Sequence, residues 1–486
     1  MSKQNLDLKV LYTALFILWA GISFAQTPPS AVQQIIASWQ SEPGLSTASI
    51  GVAVSDSESG QLVFRTDPQQ SLVPASILKL VTTATALEVF GPDFCFQTTF
   101  CLSGTVRNDT LFGDLQIIGG GDPTLGSAYF PENNHFWEDW IKAMKDKNIK
   151  VVSGNLVLDA SIYESQSIPD TWLWGDIGNY YGAGASGISV YDNLYRILLS
   201  SPREPGMPTK LGSVHPRIPG LEIRNEVLSS NINSDQAYVF GSPMDTRRVI
   251  RGTIPKNKSD FVIKASIPDP ATLLASQFKE KLSASGIAFL GITKFEKVNV
   301  IESKELVRLV NKSPSLREII KVTNYESVNL FAEHLLKHLA FKRSGLGTTK
   351  DGCYFINNFW KDKGVDMNGF FMNDGSGLSR FNALTSMQMV QILDYMKTQS
   401  PWSADFYESL ATAGKGTLTS FKSVDFPSNS LRAKSGSMTR VRCLAGYLIT
   451  ESGRQLSYCI QLNNFFLSQG EAIRRIEQVL FELRKL

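Results

Sequence analysis

At 486 residues and about 150 residues per domain, the chain has room for two or three domains with large buried cores, which excludes a short disulfide-stapled peptide. Its 43% hydrophobic and 19% charged residues argue against wholesale disorder, and 37 Gly with 21 Pro suit many turns rather than one long coiled coil. The 48 basic and 45 acidic residues balance to +3, so no nucleic-acid partner is expected, and bulk charge leaves room only for a local basic pocket for one anionic ligand.

Lys3 and Lys9 precede an apolar stretch from Val10 to roughly Phe24, and Ser23-Phe24-Ala25 before Gln26 has the small-x-small ending of a cleaved export signal. About 15 apolar residues are short for a membrane span, and Gln26 is not a lipid-accepting cysteine. Residues 1–25 are therefore expected to be a signal peptide. Its removal takes two Lys and one Asp, leaving 46 basic and 44 acidic residues, in a periplasmic or secreted mature chain with no transmembrane span.

Beyond the signal, 31–39 reads as an amphipathic helix, 49–55 as a strand, 56–60 as a turn and 61–64 as the returning strand. Pro74 introduces a helix over 76–87, with Ile77, Leu80, Val81, Ala84 and Leu87 at core-facing spacing. From Gly91 to Val310 the texture turns β-rich, as at 114–118 and 154–158, with one helix over 270–284 stopped by Gly286 and surface loops expected at 201–209 and 225–234. A helical region follows over 316–339, broken near Asn324, then a helix over 383–396, strands at 431–434, 442–450 and 455–462, and a closing helix over 471–483. The two chain ends share one style. The expected organisation is a catalytic domain in two parts, 26–90 and 311–486, interrupted by inserted β-rich material at 91–310.

The five cysteines, 95, 101, 353, 443 and 459, form no framework; Cys95 and Cys101 are close enough to pair across a bend, whereas Cys443 and Cys459 fall in apolar strand-like runs that suit buried thiols. His334 and His338 are the one i,i+4 histidine pair. Their Glu precedes His334 instead of following it, so the zincin arrangement is absent and an ordinary helical pair is expected, with no metal site.

Three short motifs carry chemistry. Ser76-Ile77-Leu78-Lys79 puts a hydroxyl at a helix start and an amine three residues on, on the same face, where a desolvated Lys with lowered pKa can take the Ser proton. Ser327-Val328-Asn329 offers a hydroxyl and an amide before an apolar helical run, able to bond a substrate backbone and the lysine. Lys434-Ser435-Gly436, on a strand leading to Ser437, offers a cation, a hydroxyl and a glycine that lets a substrate backbone approach. Each has an ordinary explanation when it stands alone: an N-cap serine, a helix cap, a solvated hairpin.

Together and in order, they resemble the Ser-x-x-Lys, Ser-x-Asn, Lys-(Thr/Ser)-Gly signature of penicillin-recognising serine enzymes. The rest of the chain is similar to the low-molecular-mass, class C penicillin-binding proteins, the D-alanyl-D-alanine carboxypeptidase/endopeptidase family. The similar segments are Gly119-Gly120-Gly121-Asp122-Pro123-Thr124-Leu125, Trp172-Leu173-Trp174 with Tyr180-Tyr181, Asp269-Pro270, Asn373-Asp374-Gly375-Ser376-Gly377-Leu378-Ser379-Arg380 and Gly416-Thr417-Leu418, and the 251 positions from Ser76 to Ser327 fit the family's inserted domains. Ser435 departs from the commoner Thr, losing a methyl but keeping the hydroxyl, and Gly175 is also less usual.

The resemblance implies an α/β (α+β) fold, a β-lactamase/transpeptidase-like catalytic domain interrupted by a large β-rich insertion. It implies a serine D-Ala-D-Ala carboxypeptidase/endopeptidase acting on peptidoglycan stem peptides through an acyl-enzyme on Ser76, trapped by β-lactam antibiotics, with no metal or organic cofactor. Lys79 is then the general base, Ser327 the relay to the leaving group, and Asn329 the support for Lys79 and the substrate amide. Lys434, Ser435 and Gly436 bind substrate, and the backbone amides of Ser76 and Ser437 form the oxyanion hole. A β-lactamase or esterase with the same motifs and a non-catalytic cell-wall-binding protein are the competing expectations, and a homodimer is left open.

Overall fold

Val52 and Val54 alternate with Ala53 along one strand, and in the computed structural model the two sets enter different cores. The structure describes residues 30–298, 305–427 and 430–486, so the expected signal peptide at 1–25 lies outside the described residues. The strand is β1 (Ser49–Asp56), part of an antiparallel six-stranded sheet with β2 (Leu62–Thr66), β3 (Ala411–Thr412), β4 (Leu431–Met438), β5 (Val441–Ile449) and β6 (Gln455–Asn463), in the order β3-β4-β5-β6-β1-β2. Val52 stands opposite Ile460, so the two ends of the chain meet inside one sheet.

Both faces of that sheet are covered. On one, Val52, Val54, Leu444 and Ile460 pack against α1 (Ser30–Ser41) and a closing C-terminal helix, Gln469–Arg484. On the other, Ala53, Cys443, Ala445 and Cys459 meet a helical layer of α2 (Leu78–Phe90), α3 (Leu316–Tyr325), α4 (Asn329–Ser344), α5 (Thr349–Asp362) and α6 (Ser386–Thr398). Helix α2 is buried on every side from Leu78 to Leu87, Lys79, Thr82, Thr83 and Thr85 included. Starts are written locally: Ser315 with Glu318, and Thr385 with Gln388, make reciprocal capping boxes on α3 and α6.

Among the described residues the intervening β-rich material forms four further sheets and has its own core around Phe100, Trp140 and Phe278. Strand Glu305–Lys312 pairs antiparallel with Gln97–Ser103, so the chain leaves the helical layer and returns to it side by side. The helix expected over 270–284 spans Pro270–Ala284, with Asp269 accepting from Thr272 N–H as its N-cap. A second helix there, Phe136–Asp146, was not anticipated amid the β-rich texture.

One expectation changes, and one open alternative is decided. The loop expected at 225–234 is a strand as far as Ser230: Glu222–Ser230 pairs parallel with Arg247–Pro255, and the Asn225 side chain that suggested a loop donates to the Thr209 carbonyl at 2.9 Å. Cys95 and Cys101 do not pair. Both are free thiols, and Cys101 is buried on its strand. Among the described residues, no helix is long and apolar enough to cross a membrane.

Candidate active site

The turn before α2 builds the site. Ala75 adopts a left-handed φ of +47°, Ser76 lies in the single 3₁₀ turn Ala75–Ile77, and α2 begins only at Leu78, two residues later than the periodicity suggested. Glycine makes this packing feasible. A Cβ on Gly436 of β4 would stand 2.5 Å from the Pro74 carbonyl oxygen and 3.1 Å from Ser76 N, so only a residue without a side chain lets β4 lie against the turn.

Lys79 is fully buried beneath Ser76, with Nζ 3.0 Å from Ser76 Oγ, 2.6 Å from Asn329 Oδ1 and 2.7 Å from the Ser376 carbonyl. Burial pulls its pKa down to about 7, against the opposing pull of Asp374 and Glu333. Asn329 opens α4 and donates its amide to the Tyr181 carbonyl at 2.8 Å, so one side chain ties the lysine to the β-rich insertion. Ser327 occupies the bend between α3 and α4 at φ +63°, the break expected near Asn324.

Lys434 is also fully buried. Burial first, and then the nearby cations Lys79 and Arg442, push its amine well below the usual lysine range, and its Nζ donates to the Ser435 carbonyl at 2.7 Å. Ser435 Oγ is 3.4 Å from the Thr417 carbonyl, while Ser437 Oγ donates to Gln469 Oε1 at 3.0 Å. Ser76, Ser327, Asn329 and Ser437 line a common cavity of about 440 Å³, edged by Tyr180 and Arg380. Thus the structure brings Ser76, Ser327, Asn329 and Ser437 to one opening, with Lys79 buried beneath Ser76 and Gly436 behind the serine. It keeps Lys434 and Ser435 below the surface, turned onto neighbouring carbonyls.

The His334/His338 pair is structural. His334 Nδ1 bonds the Gly121 carbonyl at 2.8 Å and Nε2 the Ser189 hydroxyl at 2.9 Å, while His338 Nδ1 meets Tyr163 OH at 3.3 Å. These contacts dock the insertion on α4.

Residues 32–484 match the family model described as the D-Ala-D-Ala carboxypeptidase 3 (S13) family. The chain belongs to that family. Its activity is accordingly that of a serine-type D-Ala-D-Ala carboxypeptidase/endopeptidase of peptidoglycan. It is 28% identical over 437 residues to a D-alanyl-D-alanine carboxypeptidase of Actinomadura sp. (strain R39), covering 87% of this chain and 79% of that one. It is 22% identical over 448 residues to the D-alanyl-D-alanine carboxypeptidase DacB of Haemophilus influenzae, covering 90% of each. The crystal structure of penicillin-binding protein 4 from Haemophilus influenzae superposes with a TM-score of 0.79 at 21% identity, over 93% of this chain and 99% of that one, and the fold is shared.

Sequence reasoning passed over three side chains beside this candidate site. Asp374 accepts from Gly377 N, Asn382 Nδ2, Ser379 N and Trp172 Nε1, and Glu333 accepts from the amides of Gly375 and Ser376. Trp172 and Asp374 belong to segments noted only for their likeness to the family. Glu333 lies four residues after Asn329 on α4, and that i,i+4 spacing was the available signal.

Proposed function

We propose that Ser76 is the nucleophile and Lys79 its general base in cleavage of a D-Ala linkage in a peptidoglycan stem peptide. The observation that carries this is the buried Lys79 amine 3.0 Å from Ser76 Oγ, its pKa lowered to about 7, where a neutral amine is accessible near neutral pH. Ser76 Oγ gives its proton to Lys79 and bonds to the scissile carbonyl carbon. The backbone amides of Ser76 and Ser437 hold the oxyanion, and Asn329 steadies Lys79 and the substrate amide. The tetrahedral adduct then collapses: the C–N bond breaks, and the departing D-Ala amine takes a proton passed from Lys79 through Ser327. Water, deprotonated in the same way, hydrolyses the ester and frees Ser76.

Lys434 and Ser435 receive the terminal carboxylate of the leaving residue. Burial disfavours charge on Lys434, and an arriving carboxylate restores it, so carboxylate binding draws a proton with it. The same serine takes the strained amide of a β-lactam, and the expected setting is the periplasm or the cell exterior. Residues 26–90 and 311–486 are read as the catalytic domain, with 91–310 inserted in it.

Intact-mass measurement after penicillin treatment tests the reading, with peptide mapping to locate the adduct. One penicilloyl group on Ser76 and release of D-Ala from a stem pentapeptide are expected. An unmodified protein would refute it, and rapid loss of the adduct without D-Ala release would point to a β-lactamase.

A further inference from the structure

Two successive peptide planes sit between α4 and Lys79. In the first, the Gly375 carbonyl accepts from the Thr82 hydroxyl at 2.7 Å and the Ser376 N–H donates to Glu333 Oε1 at 2.8 Å. In the second, the Ser376 carbonyl accepts from Lys79 Nζ at 2.7 Å and the Gly377 N–H donates to Asp374 Oδ1 at 2.8 Å. Gly375 N–H adds bonds to both Glu333 oxygens at 3.1 and 3.0 Å. The glycines are required by space: a Cβ on Gly375 would stand 2.6 Å from the Ala332 carbonyl, and one on Gly377 2.0 Å from the Ala75 carbonyl.

We propose that Glu333 is a positioning residue: its buried carboxylate, one helical turn beyond Asn329, holds the 374–377 loop so that the Ser376 carbonyl meets Lys79, and its charge governs how readily Lys79 exchanges a proton. The inference rests on Lys79 being the base.

The groups facing Lys79 can be named element by element. From α4 comes Glu333, from the loop Asp374, and from β4 Lys434 with Arg442 nearby; Cys353 of α5 faces the two carboxylates. The carboxylates favour a charged Lys79. The Ser376 carbonyl favours it too, because it can only accept, whereas Ser76 Oγ can take either role. Burial and the proximity of Asp374 push Glu333 itself up, and the charges on Glu333 and Lys79 influence each other. Without such anions a fully buried lysine would lose its charge well below neutrality and become too weak a base to take a serine proton.

The test is the rate of covalent penicillin labelling against pH in the full chain, for wild type and Glu333→Gln. The glutamine carbonyl can still accept from the Gly375 and Ser376 amides but carries no charge. Removing an anion lowers the lysine pKa, so the acid limb of the profile is expected to move down by about half a pH unit or more, with a lower plateau. An unchanged midpoint would overturn the proposal. If Glu333→Gln is not folded by circular dichroism, Glu333→Asp decides: charge is kept and reach shortened, so the midpoint should stay while the plateau falls about tenfold or more. A wild-type plateau in that variant would overturn the positioning role. A wild-type protein that forms no Ser76 adduct would instead refute the assignment of Ser76 and Lys79, an outcome the Glu333 variants do not produce.

Discussion

The indole N–H of Trp172 donates to Asp374 Oδ2 at 2.8 Å across 202 positions of sequence, joining the β-rich insertion to the loop that supplies the Ser376 carbonyl to Lys79. Four donors converge on the Asp374 carboxylate, which has no exposure to solvent. A buried anion is tolerated when its lone pairs are filled in this way, and each donor counts because water cannot replace it.

Trp172→Phe keeps an aromatic, though smaller, side chain and removes the donor. Leaving one buried acceptor short should cost about 1–3 kcal/mol, read as a lower urea midpoint at pH 7.5, and should slow penicillin labelling by loosening the 373–380 loop. Wild-type stability and labelling in this variant would show that the insertion does not support the site through this bond.

His334 gives a pH dependence of definite sign. Burial holds its imidazole down to about 3, against an ordinary value of 6.5, so the native state keeps it neutral while the unfolded chain takes up a proton below pH 6.5. Stability from this group is complete above pH 6.5 and is lost as pH falls towards 3, about 2 kcal/mol of it by pH 5 at 1.36 kcal/mol per unit. His334→Asn should therefore be less stable than wild type at pH 7.5, with the gap narrowing by about that amount at pH 5. Asp122, Asp394 and His338 titrate in both proteins, so the difference isolates His334. A gap that stayed constant between the two pH values would exclude the buried neutral imidazole.

The parts of the site visible in the sequence were those with a short local spacing. Ser76 and Lys79 are three residues apart at a helix start, Ser327 and Asn329 flank another, and Lys434 to Ser437 follow one strand, so each group is a pattern within four residues. The six-stranded sheet was likewise foreshadowed by the matching alternation of the two chain ends, although pairing Val52 with Ile460 needs the whole fold. The buried carboxylates were opaque for the opposite reason. Glu333 entered the sequence reading only as the residue before His334 and Asp374 only as part of a family-like segment, and only the tertiary fold supplies the backbone amides and the indole that make their burial tolerable. The strand Glu222–Ser230 was hidden because its polar side chains find partners along the sheet, as Asn225 does on Thr209.

Gly436 faces the turn that carries Ser76, the proposed nucleophile, and an alanine there would place a methyl group 2.5 Å from the Pro74 carbonyl and 3.1 Å from the backbone nitrogens of Ser76 and Ile77. Backbone cannot yield as a flexible side chain does, so β4 or the turn must shift. Displacement on the order of an ångström is enough to spoil the alignment of Ser76 Oγ with the backbone amides of Ser76 and Ser437, the proposed oxyanion hole. Gly436→Ala should fold, with penicillin labelling slowed about a hundredfold; a full labelling rate would mean that β4 does not need to lie against Ser76.

Lys79 offers the most direct test of the chemistry. Its amine is fully buried within bonding distance of Ser76, Asn329 and the Ser376 carbonyl, and burial brings its pKa to about 7, so the labelling rate of the wild type should rise with pH through that region as the neutral amine forms. Lys79→Arg keeps a cation beside Asp374 and Glu333 but removes any accessible neutral form. The variant should retain its circular dichroism spectrum and lose at least about a hundredfold in acylation rate, the lower scale for a positioned acid or base, with the pH limb near 7 abolished. Ser76→Ala serves as the unlabelled control. If folded Lys79→Arg were labelled at the wild-type rate, Lys79 would not be the base, even with Ser76 as the nucleophile, and the proton would have to leave by way of Ser327.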